Sequence, residues 1–237
     1  MTWAAGKTVL VTGGSQGIGL ATAIAFRTIG AHVHITGTRA AATDYADDLS
    51  GLTYHRADMA KDEDRAALVG SVTSLDVLVN NAGMGGADEY TTAGFARIIA
   101  VNLTAVMDLS TRFHGALAVT SGSIVNVGSL SSFLALRETP AYTASKTGLL
   151  GLTRALADKW SGDGIRVNLV APGFIATRMT NAMRTDSASE SKLLRAIPMR
   201  RWGQPSEIAE PILFLASPAA SYITGQSLAI DGGLMLR

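Results

Sequence analysis

Cysteine is missing from this sequence, which excludes disulfide bridges, thiolate metal ligands and cysteine nucleophiles and fits a reducing compartment. Charge is also scarce, since charged residues are 16% of the 237 and the formal net charge is +1. This balance gives no reason to expect nucleic acid or an anionic membrane surface as a partner. No apolar run approaches the roughly 18 residues that a membrane span requires. The start MTWAAGKTVLVTGG reaches a strand-like run too early to hold a secretory signal, so we expect a cytoplasmic location.

The sequence does contain a large supply of apolar residues, 47% of the total, in short runs. Runs such as TVLVTG, DVLVNNAG, SIVNVGS and RVNLVAPG are continuously apolar and β-branched, as strands covered on both faces are. Longer segments with helical spacing, such as GIGLATAIAFRTIGA, lie between them. This alternation predicts a single α/β domain over residues 1–237, with a doubly wound parallel sheet flanked by helices.

One segment, residues 174–203, breaks the alternation of strands and helices and is rich in arginine. It directly follows a predicted strand end, and ligands of open α/β sheets bind beyond the carboxyl ends of the strands. We therefore predict that this segment forms a lid over the substrate. The alternative is an excursion that faces solvent or another subunit.

A glycine-rich turn, TGGSQGIG, follows the first strand and opens the first predicted helix. Gly13 allows the tight exit turn, Gly17 allows the backbone to approach a phosphate, and Gly19 allows close packing of helix and strand. The helix then points its free N–H groups and positive dipole end at a pyrophosphate. Glycines alone would also fit an ordinary strand–helix turn, but their position after the first strand predicts a dinucleotide site.

The end of the second strand distinguishes between the two nicotinamide dinucleotides. NAD enzymes usually place an acid there for the adenosine ribose, whereas this chain has Gly37, followed by a threonine and Arg39. A guanidinium can pair with a 2′-phosphate, so we favour NADP. Gln16 stands where an arginine would have strengthened that case, which leaves NAD as the alternative. Asp58, after the third strand, is interpreted either as an acceptor for the adenine amino group or as a cap of the following helix.

The segment PAYTASKTGLLG places Tyr142 and Lys146 one turn apart on one face of a predicted helix that opens at Pro140. A tyrosine pKa near 10 must fall by about 3 units, roughly 4 kcal/mol, before the phenol moves protons well at neutral pH. A cation about 4 Å away supplies about that much at an effective dielectric constant near 20. Such a pair occurs by chance in many helices, and Ser129, at the end of the strand SIVNVGS, makes this one a candidate catalytic site.

Together TGGSQGIG, NNAG, Ser129 with YTASK, and RVNLVAPGFIAT resemble the short-chain dehydrogenase/reductase family in order and spacing. The resemblance extends to ITGQSLAIDGG and so covers nearly the whole chain. It implies a Rossmann-like sheet of about seven strands, an NAD(P)-dependent oxidoreductase acting on a secondary alcohol or ketone, and a homotetramer. NADPH-dependent reduction of a 3-oxoacyl-like or small ketone is the expected reaction. The alternatives are an NAD-dependent secondary-alcohol dehydrogenase and a dinucleotide-sensing protein without catalysis.

The resemblance also implies roles for individual residues. Tyr142 would be the acid–base catalyst, Ser129 would orient the substrate oxygen, and Lys146 would lower the pKa of Tyr142 and bind the nicotinamide ribose. Asn102 corresponds to the asparagine that supports a water-linked proton relay. The implied catalytic residues are Asn102, Ser129, Tyr142 and Lys146. The implied cofactor-binding residues are Gly13, Ser15, Gln16, Gly17, Ile18, Gly19, Arg39, Asp58, Met59, Asn80, Ala82, Gly83, Tyr142, Lys146, Pro172, Gly173, Ile175 and Thr177.

Two departures from the family pattern concern the substrate pocket. Gly128 stands beside the serine where many relatives have another serine, which we expect to change the pocket wall. Met84 and two glycines follow NNAG and differ from the continuation common in ketoacyl-carrier-protein reductases, which weakens an assignment to fatty-acid synthesis. No metal site is expected, because His32 and His34 have no accompanying cluster of acids or histidines.

Overall fold

Seven strands form one parallel sheet in the computed structural model, which describes residues 2–236. In chain order the strands are β1 Thr8–Val11, β2 His32–Gly37, β3 Thr53–Arg56, β4 Val77–Asn80, β5 Ser123–Val127, β6 Arg166–Pro172 and β7 Ser227–Ile230. Their order across the sheet is β3-β2-β1-β4-β5-β6-β7. The order reverses between β1 and β4, the kind of switch point at which open α/β sheets bind ligands. The predicted Rossmann-like, doubly wound sheet in a single domain is confirmed.

The strands are continuously apolar because both faces of the sheet are buried. Val79 and Val125 belong to one apolar cluster, whereas their chain neighbours Leu78 and Ile124 belong to a second cluster. Successive side chains of a strand point to opposite faces, so a core on each side requires apolar residues at every position.

Helices connect the strands and cover the two faces of the sheet. Those within the described residues are α1 Gly17–Thr28, α2 Asp62–Ser71, α3 Thr92–Ile99, α4 Ala105–Arg112, α5 His114–Thr120, α6 Pro140–Trp160, α7 Asn181–Thr185, α8 Ser187–Ala196 and α9 Pro205–Ala216. A π-helical turn, Ala100–Thr104, joins α3 to α4. Helix α6 begins at Pro140 as predicted, because proline fits the first turn, where a backbone N–H has no helical partner.

Residues 174–203 leave the sheet after β6 and contain α7 and α8. The two ends of this excursion meet, since Ile175 and Gly203 form an isolated parallel bridge. Trp202 lies at the base, and its indole N–H donates to Glu190 Oε1 of α8 at 2.8 Å. The excursion is therefore a folded unit that is tied at its base, and its action as a lid remains a prediction.

One continuous helical stretch within the described residues, Thr92–Arg112, is long and apolar enough to cross a membrane by length and composition. The sequence had led us to expect no apolar stretch of this length. The stretch packs against α6, and 33% of its most apolar window is buried. Length and composition alone are weak grounds for a membrane span, because buried core helices can meet the same criteria.

Two histidines meet across neighbouring strands. Nδ1 of His34 in β2 lies 2.9 Å from Nε2 of His55 in β3, and the rings are stacked. Burial lowers the pKa of His55, and burial followed by the charge of His55 lowers the pKa of His34. Both rings therefore favour the neutral form in the folded protein.

We expect the protein to lose stability as the pH falls through about 6.5. The two histidines of the unfolded chain then become protonated, whereas the buried rings of the folded protein stay neutral. Above that pH both states carry neutral rings and the contribution is constant. Melting temperatures measured between about pH 8 and about pH 5 should fall less steeply in His55→Gln than in the wild type. Thr53→Gln, at an exposed position of β3 that does not titrate, is the control. Equal slopes for His55→Gln and the wild type would contradict this expectation.

Candidate active site and dinucleotide cleft

Three polar side chains converge where β5 ends and α6 begins. The hydroxyl of Ser129 lies near enough to the phenol of Tyr142 to lower its pKa. Nζ of Lys146 lies 5.6 Å from the centroid of the Tyr142 ring. The side chain of Ser129 is held by its own turn, because Oγ accepts a hydrogen bond from Ser131 N at 3.1 Å. Tyr142 and Lys146 lie one turn apart on α6, and Ser129 follows the end of β5. Their positions bring a phenol, an ammonium and a hydroxyl together.

Lys146 is a buried cation that is held by a backbone carbonyl. It is 4% exposed, and Nζ donates to Val127 O at 2.8 Å. A Cβ on Gly83 would lie 3.5 Å from Nζ, so the lysine tip lies against the NNAG turn. Burial lowers the pKa of Lys146 to about 8, because a low-dielectric site disfavours the charged form.

The pKa of Tyr142 differs from the sequence argument, which expected Lys146 to lower it towards neutrality. Burial raises the pKa of Tyr142, the nearby hydroxyl of Ser129 lowers it, and the charge of Glu89 raises it further. Desolvation is the largest of these effects, and Lys146 does not offset it because its Nζ is directed at the carbonyl of Val127. In the polypeptide alone the phenol is therefore protonated at neutral pH.

Asn102 lies in the π-helical turn and is fully buried. Its Oδ1 accepts from Met84 N, and its Nδ2 donates to Met84 O, both at 2.9 Å. Nδ2 also donates to Ser145 Oγ at 3.0 Å, and Ser145 Oγ donates to Tyr142 O at 2.7 Å. The side chain of Asn102 thus joins the loop after NNAG to the helix that carries Tyr142. π-turns often occur at functional sites.

The glycine-rich turn after β1 has the backbone that a phosphate cradle needs. Gly13 and Gly17 have φ of +62° and +59°, where a larger side chain would be strained. A Cβ on Gly19 would overlap the carbonyl oxygen of Gly13, so helix α1 packs directly on the turn. The N-cap Gln16 makes no side-chain cap, and the first turn of α1 carries no acidic residue. The N–H groups at this helix start are thus suited to an anion, and the turn fits a pyrophosphate.

A cavity of about 630 Å³ lies between this turn and the start of the excursion. It is lined by Gln16 and Gly17 on one side and by Thr177 and Arg178 on the other. A Cβ on Gly17 would lie 3.4 Å from Thr177 Cγ2, so the two sides nearly touch. A second cavity, of about 570 Å³, lies beyond the end of β7 and is lined by neither the phenol nor the ammonium of the candidate site.

The NNAG turn supports the glycine turn through a residue that the sequence did not single out. Asn81 Nδ2 donates to Thr12 O at 2.9 Å and to Gly13 O at 3.0 Å. Ala82 N donates to Thr12 Oγ1 at 3.0 Å. The side chain of Asn80, by contrast, is buried within the sheet, where its Nδ2 donates to Asn126 Oδ1 at 2.9 Å. Of the predicted residues in this turn, Ala82 contacts the glycine turn through its backbone, Gly83 lies against Lys146, and the Asn80 amide joins neighbouring strands.

The turn after β3 also uses its polar groups internally. Asp58 Oδ1 accepts from Ala60 N at 3.0 Å, which closes a tight turn. The N-cap of α2 is Lys61, so the interpretation of Asp58 as the helix cap is wrong. The side chain of Met59 is buried in the core. Any contact of Met59 with adenine would therefore use its backbone.

The segment after β6 lies beside the glycine turn, as the predicted set Pro172, Gly173, Ile175 and Thr177 requires. A Cβ on Gly173 would lie 2.8 Å from Asp231 Cα, so only glycine fits beside the residue that follows β7. Ile175 is buried, and Thr177 begins the short turn that faces Gly17. Ile18 packs partly against the core behind the glycine turn.

Gly128 does not shape the pocket wall in the way that its position suggested. A Cβ there would lie 2.7 Å from Leu169 Cδ2, and Leu169 is fully buried in β6. The space of the missing side chain is therefore filled by the sheet itself. The glycine at position 128 therefore allows Leu169 of β6 to pack closely against the end of β5.

Two functional candidates have no sequence pattern that could have predicted them. Glu89 is 2% exposed, and its Oε2 accepts from Tyr142 N at 2.9 Å while Oε1 accepts from Gly86 N at 3.2 Å. A carboxylate at the start of α6 is favoured by the helix dipole. The second candidate is Tyr45, whose hydroxyl lies at the end of β2, where a Cβ on Gly37 would overlap it. Both contacts join residues that are apart in sequence.

Comparisons with known proteins agree with this geometry. A family model described as enoyl-(acyl carrier protein) reductase matches residues 13–235. Galactitol 2-dehydrogenase (L-tagatose-forming) of Cereibacter sphaeroides is 40% identical, over 96% of this chain and 94% of the relative. The 2-dehydro-3-deoxy-D-gluconate 5-dehydrogenase of Bacillus subtilis is 38% identical, over 98% and 96%. The structure of Pseudomonas aeruginosa RhlG in its NADP active-site complex has a TM-score of 0.89 at 31% identity and covers 98% of both chains.

The fold, the glycine cradle and the phenol–ammonium pair define an oxidoreductase that uses a nicotinamide dinucleotide on an alcohol or a ketone. The chain belongs to the short-chain dehydrogenase/reductase family. The family resemblance inferred from the sequence motifs is thus confirmed.

We expect Glu89→Gln to lower the free energy of unfolding by about 1 to 3 kcal/mol, because an amide offers one acceptor oxygen to two partly buried N–H groups. Chemical denaturation measures the change. Glu210→Gln, at an exposed position of α9, is the matched control. A loss no larger than that of the control would show that Glu89 does not hold the start of α6.

Proposed function

We propose that this chain catalyses the NADP-linked interconversion of a ketone and a secondary alcohol, with reduction by NADPH as the favoured direction. The observation that supports it is the convergence of Ser129, Tyr142 and Lys146 at the carboxyl end of β5, beside the glycine cradle at the start of α1. A dinucleotide-sensing protein would have no need of this convergence.

Each side chain of the site has a separate role in the transfer of the proton. The bound nicotinamide supplies or accepts the hydride. Tyr142 gives its proton to the carbonyl oxygen during reduction and takes it back during oxidation. Ser129 donates a hydrogen bond to the same oxygen and sets its direction. Lys146, whose pKa of about 8 leaves it mostly charged at neutral pH, stabilises the phenolate that forms and holds ribose hydroxyls. Asn102 fixes the distance between the loop after NNAG and α6.

The preference for NADP rests on the end of β2. Gly37 offers no carboxylate to repel a 2′-phosphate, and the exposed guanidinium of Arg39 lies two residues beyond it. The NADP complex of RhlG supports this preference by similarity. NAD is the alternative, because Gln16 adds no positive charge at the glycine turn.

For the substrate we propose a small polyhydroxylated ketone or the corresponding alcohol. The names of the galactitol and deoxygluconate dehydrogenases support this class. The description of the matching family model supports a 3-oxoacyl compound as the second candidate. Rates with a panel of polyols, sugar acids, small ketones and 3-oxoacyl thioesters, followed by the absorbance of reduced nicotinamide, test both. Turnover confined to thioesters would exclude the polyhydroxylated class.

We further propose that residues 174–203 close over the substrate and that four chains assemble. The excursion is held near its base, by the bridge of Ile175 with Gly203 and by Met199 N, which donates to Gly232 O at 3.1 Å. Most described positions of α7 and α8 are exposed, which leaves these helices room to move as a unit. Exposed apolar side chains on α3 and α4, Phe95 and Met107, support a subunit contact. The absence of cysteine supports a cytoplasmic location. Light scattering of the purified chain measures the assembly.

We expect Tyr142→Phe to reduce turnover by several powers of ten while leaving dinucleotide binding nearly unchanged, because only the proton-carrying oxygen is removed. Steady-state rates and fluorescence titration of the reduced dinucleotide measure the two effects. Tyr222→Phe, at a fully exposed position, is the control. Retained turnover in Tyr142→Phe would remove the proposed acid–base role.

We expect Arg39→Ala to weaken the binding of NADPH about tenfold or more and that of NADH little, because a charged hydrogen bond to phosphate contributes about 1.5 to 3 kcal/mol. Dissociation constants for both dinucleotides measure the difference. Arg154→Ala, at an exposed position of α6, is the control for general loss of positive charge. Equal losses for the two dinucleotides would show that Arg39 does not contact the 2′-phosphate.

A further inference from the structure

The loop after β2 places a tyrosine where NAD enzymes place an acidic side chain. A Cβ on Gly37 would overlap Tyr45 Oη, so the phenol of Tyr45 fills the space beside the strand end. The Tyr45 ring packs edge-to-face on Tyr54, with 5.8 Å between the ring centroids. The guanidinium of Arg39 lies 4.7 Å from the centroid of the Tyr45 ring. Arg39, the predicted partner of a 2′-phosphate, is thus already in contact with the Tyr45 ring.

Polar groups surround the oxygen of Tyr45. Arg39 N donates a hydrogen bond to Oη at 3.2 Å, and the hydroxyls of Ser15 and Thr38 lie near enough to act on its pKa. Burial acts to raise the pKa of Tyr45, but these groups and the Tyr54 hydroxyl together outweigh burial, and the pKa is lowered. Ser15 is only 4% exposed although it lies in the glycine turn.

This set of donors suits an anion better than a phenol. A phenol oxygen has two lone pairs, whereas the three terminal oxygens of a phosphate accept many hydrogen bonds and pair with a guanidinium. We call the hydroxyls of Ser15 and Thr38, the backbone N–H of Arg39 and its guanidinium the anion seat. The anion seat lies at the end of β2 beside the glycine turn, which is where a Rossmann-type sheet holds the adenosine ribose.

We propose that Tyr45 Oη occupies the anion seat in the protein without nucleotide and that a 2′-phosphate must displace it. Tyr45 then limits the affinity for NADP, whereas a nucleotide with a free 2′-hydroxyl has no need of the seat. The proposal deepens the proposed function and rests on it, because the same cleft must bind the dinucleotide.

Tyr45 packs at the edge of the core, because its half-buried ring lies against the apolar cluster that contains Ile35. Its neighbours Asp44 and Ala46 are exposed, so the loop itself has room to move when the ring leaves. The guanidinium of Arg39 hydrogen-bonds to the carbonyl oxygen of Asp44, so Arg39 and the loop would move together when the phosphate arrives. The hydroxyl of Tyr54 donates to Arg39 O at 2.6 Å and keeps the backbone of the seat in place.

The test uses two small nucleotides, adenosine 2′,5′-bisphosphate and ADP, and measures their dissociation constants by calorimetry with the full chain. Tyr45→Phe keeps the ring and removes the oxygen that fills the seat. We expect adenosine 2′,5′-bisphosphate to bind about fivefold more tightly to this variant, because one net hydrogen bond no longer has to be broken. The affinity for ADP should not change.

Two further variants make the result specific. Tyr90→Phe is the matched control, since the hydroxyl of Tyr90 also forms a hydrogen bond with the backbone, by donating to Arg137 O at 2.6 Å, but in the loop before α3. The double variant Tyr45→Phe with Ser15→Ala should lose most of the gain, because a donor of the seat is then missing. Melting temperatures recorded beside each titration show that the variants are folded.

The remaining outcomes overturn the proposal in different ways. Weaker binding of adenosine 2′,5′-bisphosphate to Tyr45→Phe would make Tyr45 a partner of the phosphate, and unchanged binding would show that Oη lies outside the phosphate site. If neither nucleotide bound to the wild type, the dinucleotide cleft itself, and with it the proposed function, would be refuted. Binding of either nucleotide to the wild type leaves the proposed function standing, whatever the effect of Tyr45→Phe on the dissociation constants.

Discussion

The active site depends on one ammonium group that is kept out of water. Lys146 is 4% exposed and donates to the carbonyl of Val127, the last residue of β5, while its Nζ lies 5.6 Å from the ring of Tyr142. A buried cation is costly unless its protons are hydrogen-bonded. Helix α6, which carries Tyr142, is therefore held against the carboxyl end of β5, next to Ser129. The hydrogen bond from Lys146 to Val127 thus sets the distances between the reacting groups.

Groups that need not contact substrate hold this arrangement. Asn102 uses both ends of its amide on the backbone of Met84 and on Ser145, and Ser145 in turn bonds the carbonyl of Tyr142. Glu89 holds the N–H of Tyr142 from the other side. The backbone around the tyrosine is thus bonded in two directions, which limits how far the phenol can move from the substrate oxygen.

Local rules predicted much of the fold and the centre of the site. The tight turn at Gly13 and the start of α6 at Pro140 are properties of short segments, and both were correctly expected. The expectations that failed concerned environment. Gly128 packs against Leu169 of the next strand, and the pKa of Tyr142 is raised because burial outweighs the lysine. Neither the neighbour across a sheet nor the degree of desolvation can be read from spacing along the chain.

The sequence by itself determined the parallel sheet, the glycine turn and the register of phenol and ammonium, because apolar runs, φ preferences and helical periodicity act over a few residues. Only the tertiary structure decided which side chains fill the gaps that glycines leave and which carboxylate meets the start of α6. Tyr45 reaches Gly37 and Glu89 reaches Tyr142 across loops. Such contacts depend on how separate elements pack, and packing is set by the whole core rather than by any one segment.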